Sequence, residues 1–175
     1  MSSLIPNVFE VDPDDPRTTM LHVTHRNGSR VTFLIDTACA QLIRGHQWCT
    51  SRTSGTQRCY AMSGHRRYGT YVKLHRLIMH APDGHEIDHV SGDTLDNRRA
   101  NLRVATRSQN VANQKRRKDN ASGFKGVRWQ GNRCEARIRV NGQLMHLGYF
   151  CGPKEAHAAY VAAARQAFGE FARAE

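Results

Sequence analysis

The chain has 175 residues, enough for one ordinary domain or for two or three very small ones. It carries 26 Lys and Arg against 15 Asp and Glu, a formal net charge of +11. Such an excess of cations favours a polyanionic partner, because contacts with phosphates release bound counterions. No apolar run approaches the roughly 18 residues that can span a membrane, so no membrane association is expected.

The five cysteines give a weak signal. They are odd in number and contain no CxxC pair, so neither a disulfide framework nor a cysteine-rich zinc site is expected. The N-terminal residues lack the basic and apolar regions of a signal peptide. We therefore expect reduced thiols and a cytoplasmic protein.

The first segment, residues 1–65, is predicted to be a small β-rich subdomain. Gly28–Ile35 alternates apolar and polar residues and predicts a strand. Asp36–Arg44 predicts a short helix with Asp36 as its N-cap. Two short strands are expected farther along, with the polar stretch SRTSGTQR between them, and the tract VDPDDPR near the N-terminus predicts an exposed loop.

The second segment, residues 66–114, is predicted to contain three strands and two helices. Its last two strands are joined by the turn-rich loop SGDTLDNRRAN, which predicts a hairpin, and a helix follows. The predicted strands are Tyr71–His75, Glu86–His89 and Leu102–Thr106, and the predicted helices are Arg76–His80 and one that begins near Arg107.

Four polar residues of this hairpin have a spacing that suggests chemistry. Asp88 and His89 end one strand, Asn101 follows Asp88 by 13 residues, and Asn110 follows Asn101 by 9. A hairpin that continues into a helix would bring Asp88 and Asn110 together. One carboxylate and one amide oxygen suit Mg²⁺ or Mn²⁺, and a neighbouring imidazole can activate water.

At these positions the sequence resembles the HNH endonuclease family, in particular the nicking homing endonucleases of phages. The resemblance covers residues 74–114. It implies that His89 is the general base, that Asp88 and Asn110 bind one divalent ion, and that Asn101 braces the loop and orients the histidine. The last motif residue is Asn110 instead of His, as in the intron-encoded branch, which argues against a two-histidine zinc site.

The same resemblance implies a fold, an activity and a setting. The expected fold is a ββα-metal hairpin, and the expected reaction is hydrolysis of a phosphodiester bond in double-stranded DNA. The expected location is the cytoplasm of a cell that hosts a phage or mobile element. We expect a monomer, and a dimer stays open. For His75, packing inside the fold and contact with a phosphate are equally expected.

The third segment, residues 123–175, predicts a three-stranded antiparallel sheet followed by a helix. Asn141-Gly142 is a type I′ hairpin signal. Pro153 opens the helix and Gly169 ends it. The predicted strands are Gly126–Trp129, Cys134–Val140 and Leu144–Phe150.

Alternation along these strands assigns their side chains to two faces. Ala136, Ile138 and Val140 share one face, which is expected to pack on the helix together with Trp129. The opposite face is expected to present arginines. This segment, from FKGVRW through EARIRV and HLGYF to EAHAAYVAAARQAFG, resembles AP2/ERF-type DNA-binding domains. The resemblance implies that the sheet enters the major groove of duplex DNA.

The sequence therefore predicts an α+β protein: a ββα-metal (HNH) hairpin followed by an AP2-like sheet and helix, with a basic linker over residues 115–122. From Arg98 to Lys118 there are eight cations and no acid. The alternatives are a sequence-specific DNA-binding regulator without catalysis, or an RNA-binding protein. The residues expected to contact DNA are Arg98, Arg99, Arg103, Arg107, Lys115, Arg116, Arg117, Lys118, Arg128, Arg137 and Arg139.

Overall fold

The computed structural model describes residues 5–52, 58–65 and 70–174. The chain is a mixed α+β protein with several small antiparallel sheets, which confirms the predicted class. Its internal contacts divide it into two compact units, Met1–Val104 and Ala105–Glu175. The predicted division at residues 65, 114 and 122 stays a prediction, and the first of these points adjoins residues 66–69, outside the described residues.

The first sheet of the first unit is an antiparallel meander. It consists of β1 (Val8–Val11), β2 (Thr18–Thr24) and β3 (Arg30–Asp36), paired in that order. β3 confirms the strand predicted at Gly28–Ile35. The tract VDPDDPR begins with the last residue of β1, and its residues 12–17 form the β1–β2 connection. The sequence missed β2, because a central strand buried on both faces shows no alternation.

The segment after β3 corrects one prediction. A single 3₁₀ turn, Thr37–Cys39, leads into the short helix α1 (Ala40–Arg44). Asp36 lies at the N-cap position but makes no side-chain capping hydrogen bond. Its carboxylate instead accepts a hydrogen bond from the backbone N–H of Arg99, at 2.7 Å. A contact 63 residues away in sequence has replaced the local cap.

The second sheet precedes a short helix. Its strands are β4 (Trp48–Arg52), β5 (Cys59–His65) and β6 (Thr70–Lys73), and the helix α2 is Leu74–Met79. The predicted strand Tyr71–His75 extended too far, and the predicted helix Arg76–His80 began too late. The reason is that Leu74, His75 and Ile78 lie on one buried helical face. Residues 53–57, within the predicted stretch SRTSGTQR, lie outside the described residues.

A two-stranded sheet completes the first unit. β7 (Glu86–His89) pairs with β8 (Leu102–Ala105). Ile87 and Leu102 belong to the same buried cluster as Phe33, Trp48 and other residues of the preceding sheets. The predicted hairpin therefore shares one hydrophobic core with the N-terminal strands. Burial of this cluster is the main stabilising contribution to the unit.

The second unit contains α3 (Arg107–Ala112), β9 (Val127–Gln130), β10 (Arg133–Val140), β11 (Gln143–Phe150) and α4 (Pro153–Phe168). The strands form one antiparallel sheet in the order β11-β10-β9. Asn141 and Gly142 both have positive φ, 49° and 83°, which confirms the type I′ turn. Gly126, at φ +76°, is required, because a Cβ there would overlap the ring of Tyr160.

The core of the second unit joins α3, the sheet and α4. Ala105 and Ala112 are buried with Ile138 and Phe168, and Ala136 packs on α4 as predicted. The prediction for Trp129 was wrong, since its side chain is 49% exposed. Alternation assigns a residue to a face of the sheet but does not predict how much of that face α4 buries. On the edge strand β9, Val127 is buried and the next three residues are exposed.

Within residues 5–52, 58–65 and 70–174, no helix is long and apolar enough to cross a membrane.

Candidate active site

Strand β7 places Asp88 and His89 side by side in the chain and buries both. Each residue is 5% exposed, and Ile87 before them packs into the core. Asp88 pairs with a residue of β8, and His89 contacts the loop between the two strands. The backbone N–H of Val90 donates to the carbonyl of Asn101 at 2.8 Å, which holds the end of β7 against the start of β8.

The imidazole of His89 lies in an aromatic setting. Its ring centroid is 5.3 Å from that of His75, at an interplanar angle of 81°, and 6.3 Å from that of Tyr60. Burial lowers the pKa of His89 below its usual value, and burial with the nearby His89 lowers the pKa of His75 to about 3. His75 is 6% exposed, so it packs inside the fold.

Asn97 fixes the orientation of His89. Its amide nitrogen donates to the carbonyls of Thr94 (3.3 Å) and Leu95 (3.1 Å), and its Oδ1 lies 3.3 Å from His89 Nε2. An amide oxygen only accepts, so Nε2 of the neutral imidazole carries the proton and Nδ1 is the basic nitrogen. The hydrogen bond to Asn97 raises the pKa of His89. Burial lowers that pKa by more, so the net shift is downward.

Asn101 braces the loop that carries Asn97. Its Oδ1 accepts from the N–H of Ser91 at 2.9 Å, and its Nδ2 donates to the carbonyls of Asp96 (2.8 Å) and Asp93 (3.4 Å). The side chain thus ties the first half of the loop to the residue that precedes β8. Asn101 holds the loop, and Asn97 contacts the imidazole directly.

The N-terminal sheets hold the same loop from the other side. Leu34 of β3 accepts from Asn97 N–H at 2.7 Å and donates to the carbonyl of Leu95 at 2.9 Å. Thr94 Oγ1 donates to the carbonyl of Cys59 at 2.8 Å and accepts from its N–H at 3.2 Å. With the Asp36–Arg99 bond described above, the first unit positions the loop at three places.

Asp88 forms a buried ion pair with Arg103. The guanidinium Nε and Nη2 atoms each lie 2.9 Å from Asp88 Oδ2, and the two side chains are 14% (Arg103) and 6% (Asp88) exposed. Arg103, predicted to contact DNA, is therefore placed by the structure against the predicted metal ligand. The pair holds Asp88 in one rotamer next to β8.

The predicted metal ligands Asp88 and Asn110 offer one carboxylate and one amide oxygen. Among residues 5–52, 58–65 and 70–174, no group of three or more His, Cys, Asp or Glu side chains could hold a metal ion. A single carboxylate with amide oxygen and water is the donor chemistry of Mg²⁺ or Mn²⁺. The sequence pairs Asp88 with Asn110, which lies in the second unit and is half-buried there.

Helix α3, which carries Asn110, is fixed inside the second unit. Thr106 and Gln109 form a capping box at its start. The ammonium group of Lys125 donates to the carbonyls of Ala112 (2.5 Å) and Gln114 (2.7 Å) beyond Asn110. Burial lowers the pKa of Lys125 to about 8. Both ends of this six-residue helix are therefore satisfied by side chains.

Comparison with known proteins assigns the hairpin. Residues 72–112 match the HNH endonuclease family, a span that contains β7, β8 and α3. Residues 72–112 are an HNH endonuclease domain. Such a domain implies endonuclease activity on DNA, and family members generally use divalent metal ions.

A second comparison gives one similar protein. Protein 3.8 of Escherichia phage T7 is 42% identical to this chain over 52 residues. These residues make up 30% of this chain and 43% of the phage protein, so the similarity covers less than half of that relative. No solved structure matches the chain.

The cations predicted near the HNH domain are partly engaged within the first unit. Arg98 donates from Nε and Nη2 to Asp96, at 2.9 and 2.8 Å, and remains 37% exposed. Arg99 is exposed, and its backbone is held by Asp36. Arg98 and Arg99 thus lie on a loop whose backbone is fixed.

The predicted arginine face of the C-terminal sheet contains an acid at its centre. Arg128 pairs with Glu135, which also accepts from His146 Nδ1 at 3.0 Å. Arg137 is half-buried on the same face, and Arg139 is exposed and donates to the carbonyl of Gly142 at 2.7 Å. The face is therefore mixed in charge, and Glu135 orders two of its donors. The other predicted contacts, which are exposed in the second unit, are Arg107, Lys115, Arg116, Arg117 and Lys118.

Sequence reasoning missed Asn97 and Tyr60 beside the catalytic-site candidate. Asn97 occurs in the turn-rich loop, and Asn is frequent in turns because it readily adopts turn conformations. No local sequence feature distinguished it from its neighbours. Its 2% exposure and its contact with His89 single it out in the structure. The one available signal was its position between the two motif residues His89 and Asn101.

Proposed function

We propose that this chain is a site-specific DNA endonuclease of the homing type. It hydrolyses a phosphodiester bond in double-stranded DNA with His89 as general base and one divalent ion, Mg²⁺ or Mn²⁺. The observation that carries the proposal is the buried imidazole of His89, which Asn97 orients next to Asp88 within an HNH domain.

The geometry supports a role for Nδ1 of His89 in proton transfer. Because Nε2–H donates to Asn97, the lone pair of Nδ1 accepts the proton of the attacking water. Burial lowers the pKa of this imidazole, which favours its neutral form. The water attacks the phosphorus in line with the departing 3′ oxygen, and the products carry 5′-phosphate and 3′-hydroxyl ends.

Asp88 and Asn110 are the proposed metal ligands. A carboxylate oxygen and an amide oxygen, completed by water and phosphate oxygens, match the hard donors that Mg²⁺ and Mn²⁺ take. When bound, the ion stabilises negative charge that develops on phosphate oxygens. Arg103 holds Oδ2 of Asp88 and orients the carboxylate.

The second unit is proposed to bind the DNA duplex through an AP2-like sheet face. Arg137 and Arg139 lie on the face opposite the core residues Ala136 and Ile138. The exposed cations between Arg107 and Lys118 add phosphate contacts. We propose a monomer that acts in the cytoplasm of a cell hosting a phage or mobile element, a setting that the similarity to a phage protein supports.

Plasmid cleavage tests the proposal. Wild-type protein should nick supercoiled plasmid with Mg²⁺ and stop when EDTA is added. His89→Ala should lose at least about 10²-fold in rate, the usual scale for loss of a general base, and keep its Kd for DNA within about twofold. His85→Ala is the matched control, since His85 is exposed.

Three outcomes would contradict the proposal. His89→Ala that keeps a tenth or more of the wild-type rate would show that His89 is not the base. Wild-type protein that binds duplex DNA without cutting it would indicate a regulator. Tighter binding and cleavage of RNA in place of DNA would indicate an RNA-directed protein.

A further inference from the structure

A cleft in the second unit has no role in the HNH chemistry. Its volume is about 550 Å³, and it runs along the edge strand β9 and the loop that follows α3. Pockets of roughly 300–1,000 Å³ are of the size that takes small organic ligands. The lining includes basic residues of the loop after α3, the indole of Trp129 on β9, and Arg137 on β10.

The lining is strongly basic. Asp119 is the one acid among these described residues, and Arg117 already pairs with it at 2.9 Å. Lys125 donates to backbone carbonyls, and Arg128 forms an ion pair with Glu135. The charge of each is therefore already partly compensated. The remaining cations are Lys115, Arg116 and Arg137. Such a lining favours binding of a ligand with several phosphate groups, or of a phosphate in the backbone of a nucleic acid.

Trp129 gives the cleft an aromatic wall. The chain has two tryptophans, of which Trp48 is 1% exposed and Trp129 is 49% exposed. Duplex bases are stacked on both faces and offer no ring to an outside tryptophan. A basic groove with an accessible aromatic side chain is instead the arrangement that binds unpaired nucleotides, with bases stacked on the ring.

We propose that this cleft binds an unpaired nucleotide of a DNA strand, with its base stacked on Trp129 and its phosphates near Lys115, Arg116 and Arg137. The choice of DNA rests on the proposed function. The inference adds a second binding mode to the second unit. Lys115, Arg116 and Arg137 contact phosphates of either form of DNA, and Trp129 contacts only a strand that is melted or already cut.

Binding of a labelled oligonucleotide tests this assignment. Fluorescein-labelled dT10 and a blunt 20-bp duplex are titrated by anisotropy with full-length protein in EDTA, so that no strand is cut. Trp129→Ala should weaken dT10 binding by about five- to one-hundred-fold, the effect of losing one stacked base, and change duplex binding by less than about twofold. Trp129→Phe should recover most of the affinity, and Trp129→Leu should not.

Two controls separate stacking from general damage. Tyr149 is 51% exposed on β11 and does not line the cleft, so Tyr149→Ala should leave dT10 binding within about twofold of wild type. Unlabelled dT10 should also quench tryptophan emission of the wild type but not of Trp129→Phe. Lys115→Ala should weaken the binding of dT10, and lowering the salt concentration should restore affinity.

The assignment is overturned if Trp129→Ala binds dT10 as tightly as wild type, or if it loses duplex and dT10 affinity equally. Absence of quenching would overturn the stacking, and tenfold tighter binding of U10 than of dT10 would overturn the choice of DNA. Because EDTA is present throughout, these results do not depend on cleavage. The proposed function is judged separately, by plasmid nicking of the same preparations in Mg²⁺.

Discussion

The side chain of Asn97 meets His89 with its oxygen, at 3.3 Å from Nε2, because both amide hydrogens point to carbonyls of its own loop. The orientation of the amide is therefore set by the backbone, and the tautomer of the imidazole is set by the amide. A residue outside the recognised motif determines which ring nitrogen is basic.

Removing this contact should slow catalysis without weakening DNA binding. We expect Asn97→Ala to lower kcat by about 10–100-fold, the usual cost of losing a residue that orients a functional ligand, with the Kd for DNA unchanged within about twofold. Asn97→Asp should keep an acceptor for Nε2–H. The added negative charge should raise the pKa of His89, so the acidic limb of the pH–rate profile should move to higher pH.

A purely structural role for Asn97 makes a different prediction. In that case both variants would lose thermal stability and activity together, and the acidic limb would not move. Asn120→Ala, in a loop of the second unit, is the matched control for loss of an asparagine that holds a loop.

The proposed metal ligands should contribute unequally. Of the two proposed ligands, Asp88 is the charged one, so Asp88→Ala should abolish Mg²⁺-dependent nicking. Asn110→Ala should require more Mg²⁺, and Asn110→Asp should retain activity at lower Mg²⁺. Zinc should support the reaction poorly, because it prefers nitrogen and sulfur donors. Metal titrations of plasmid nicking measure these effects, and unchanged metal dependence in Asp88→Ala would place the site elsewhere.

His75 should make the protein less stable in mild acid. Its folded-state pKa of about 3 lies below the value of 6.5 expected in the unfolded chain. The unfolded state therefore binds a proton that the folded state does not, and stability is lost as pH falls below 6.5. From pH 7 to 5.5 we expect this residue to lower the free energy of unfolding by about 1 kcal/mol.

Urea unfolding at the two pH values measures the effect. His75→Phe should reduce the loss, and His85→Gln should not change it, since His85 is exposed. An equal loss in wild type and His75→Phe would show that other groups cause the acid sensitivity.

The HNH domain should not function without the second unit. Truncation after Lys118 removes Ile138 and Phe168, which bury Ala112 of α3, together with Lys125, which caps it. A helix of six residues does not persist in water without such packing. Residues 1–118 should therefore show no detectable nicking under conditions in which the full-length protein nicks. Nicking by the fragment at a tenth of the full-length rate would contradict this.

The parts of the fold with local signals were predictable from sequence. The Asn141-Gly142 turn, the strands on either side of it and the start of α4 at Pro153 all depend on residues close in the chain. β2 was missed because burial on both faces hides its alternation. The exposure of Trp129 depends on where α4 ends over the sheet, which no residue of β9 encodes.

The same distinction explains the site. His89, Asp88 and Asn101 were predicted through their spacing, which a hairpin imposes on neighbouring strands. Asn97 and Tyr60 were missed because their contact with His89 depends on the three-dimensional path of a loop and of β5. The pairing of Arg103 with Asp88 likewise depends on the register of β7 with β8, so sequence assigned Arg103 to DNA instead.

The three places at which the N-terminal sheets hold the loop around Asn97 limit how the HNH domain can be transferred to another protein. Leu34, Asp36 and Cys59 lie outside the span that matches the HNH family. Residues 72–112 alone are thus not expected to form an ordered site in another protein. Grafted onto another DNA-binding protein, they would lack the groups that order the loop, and a functional fusion must carry β3 and β5 with them.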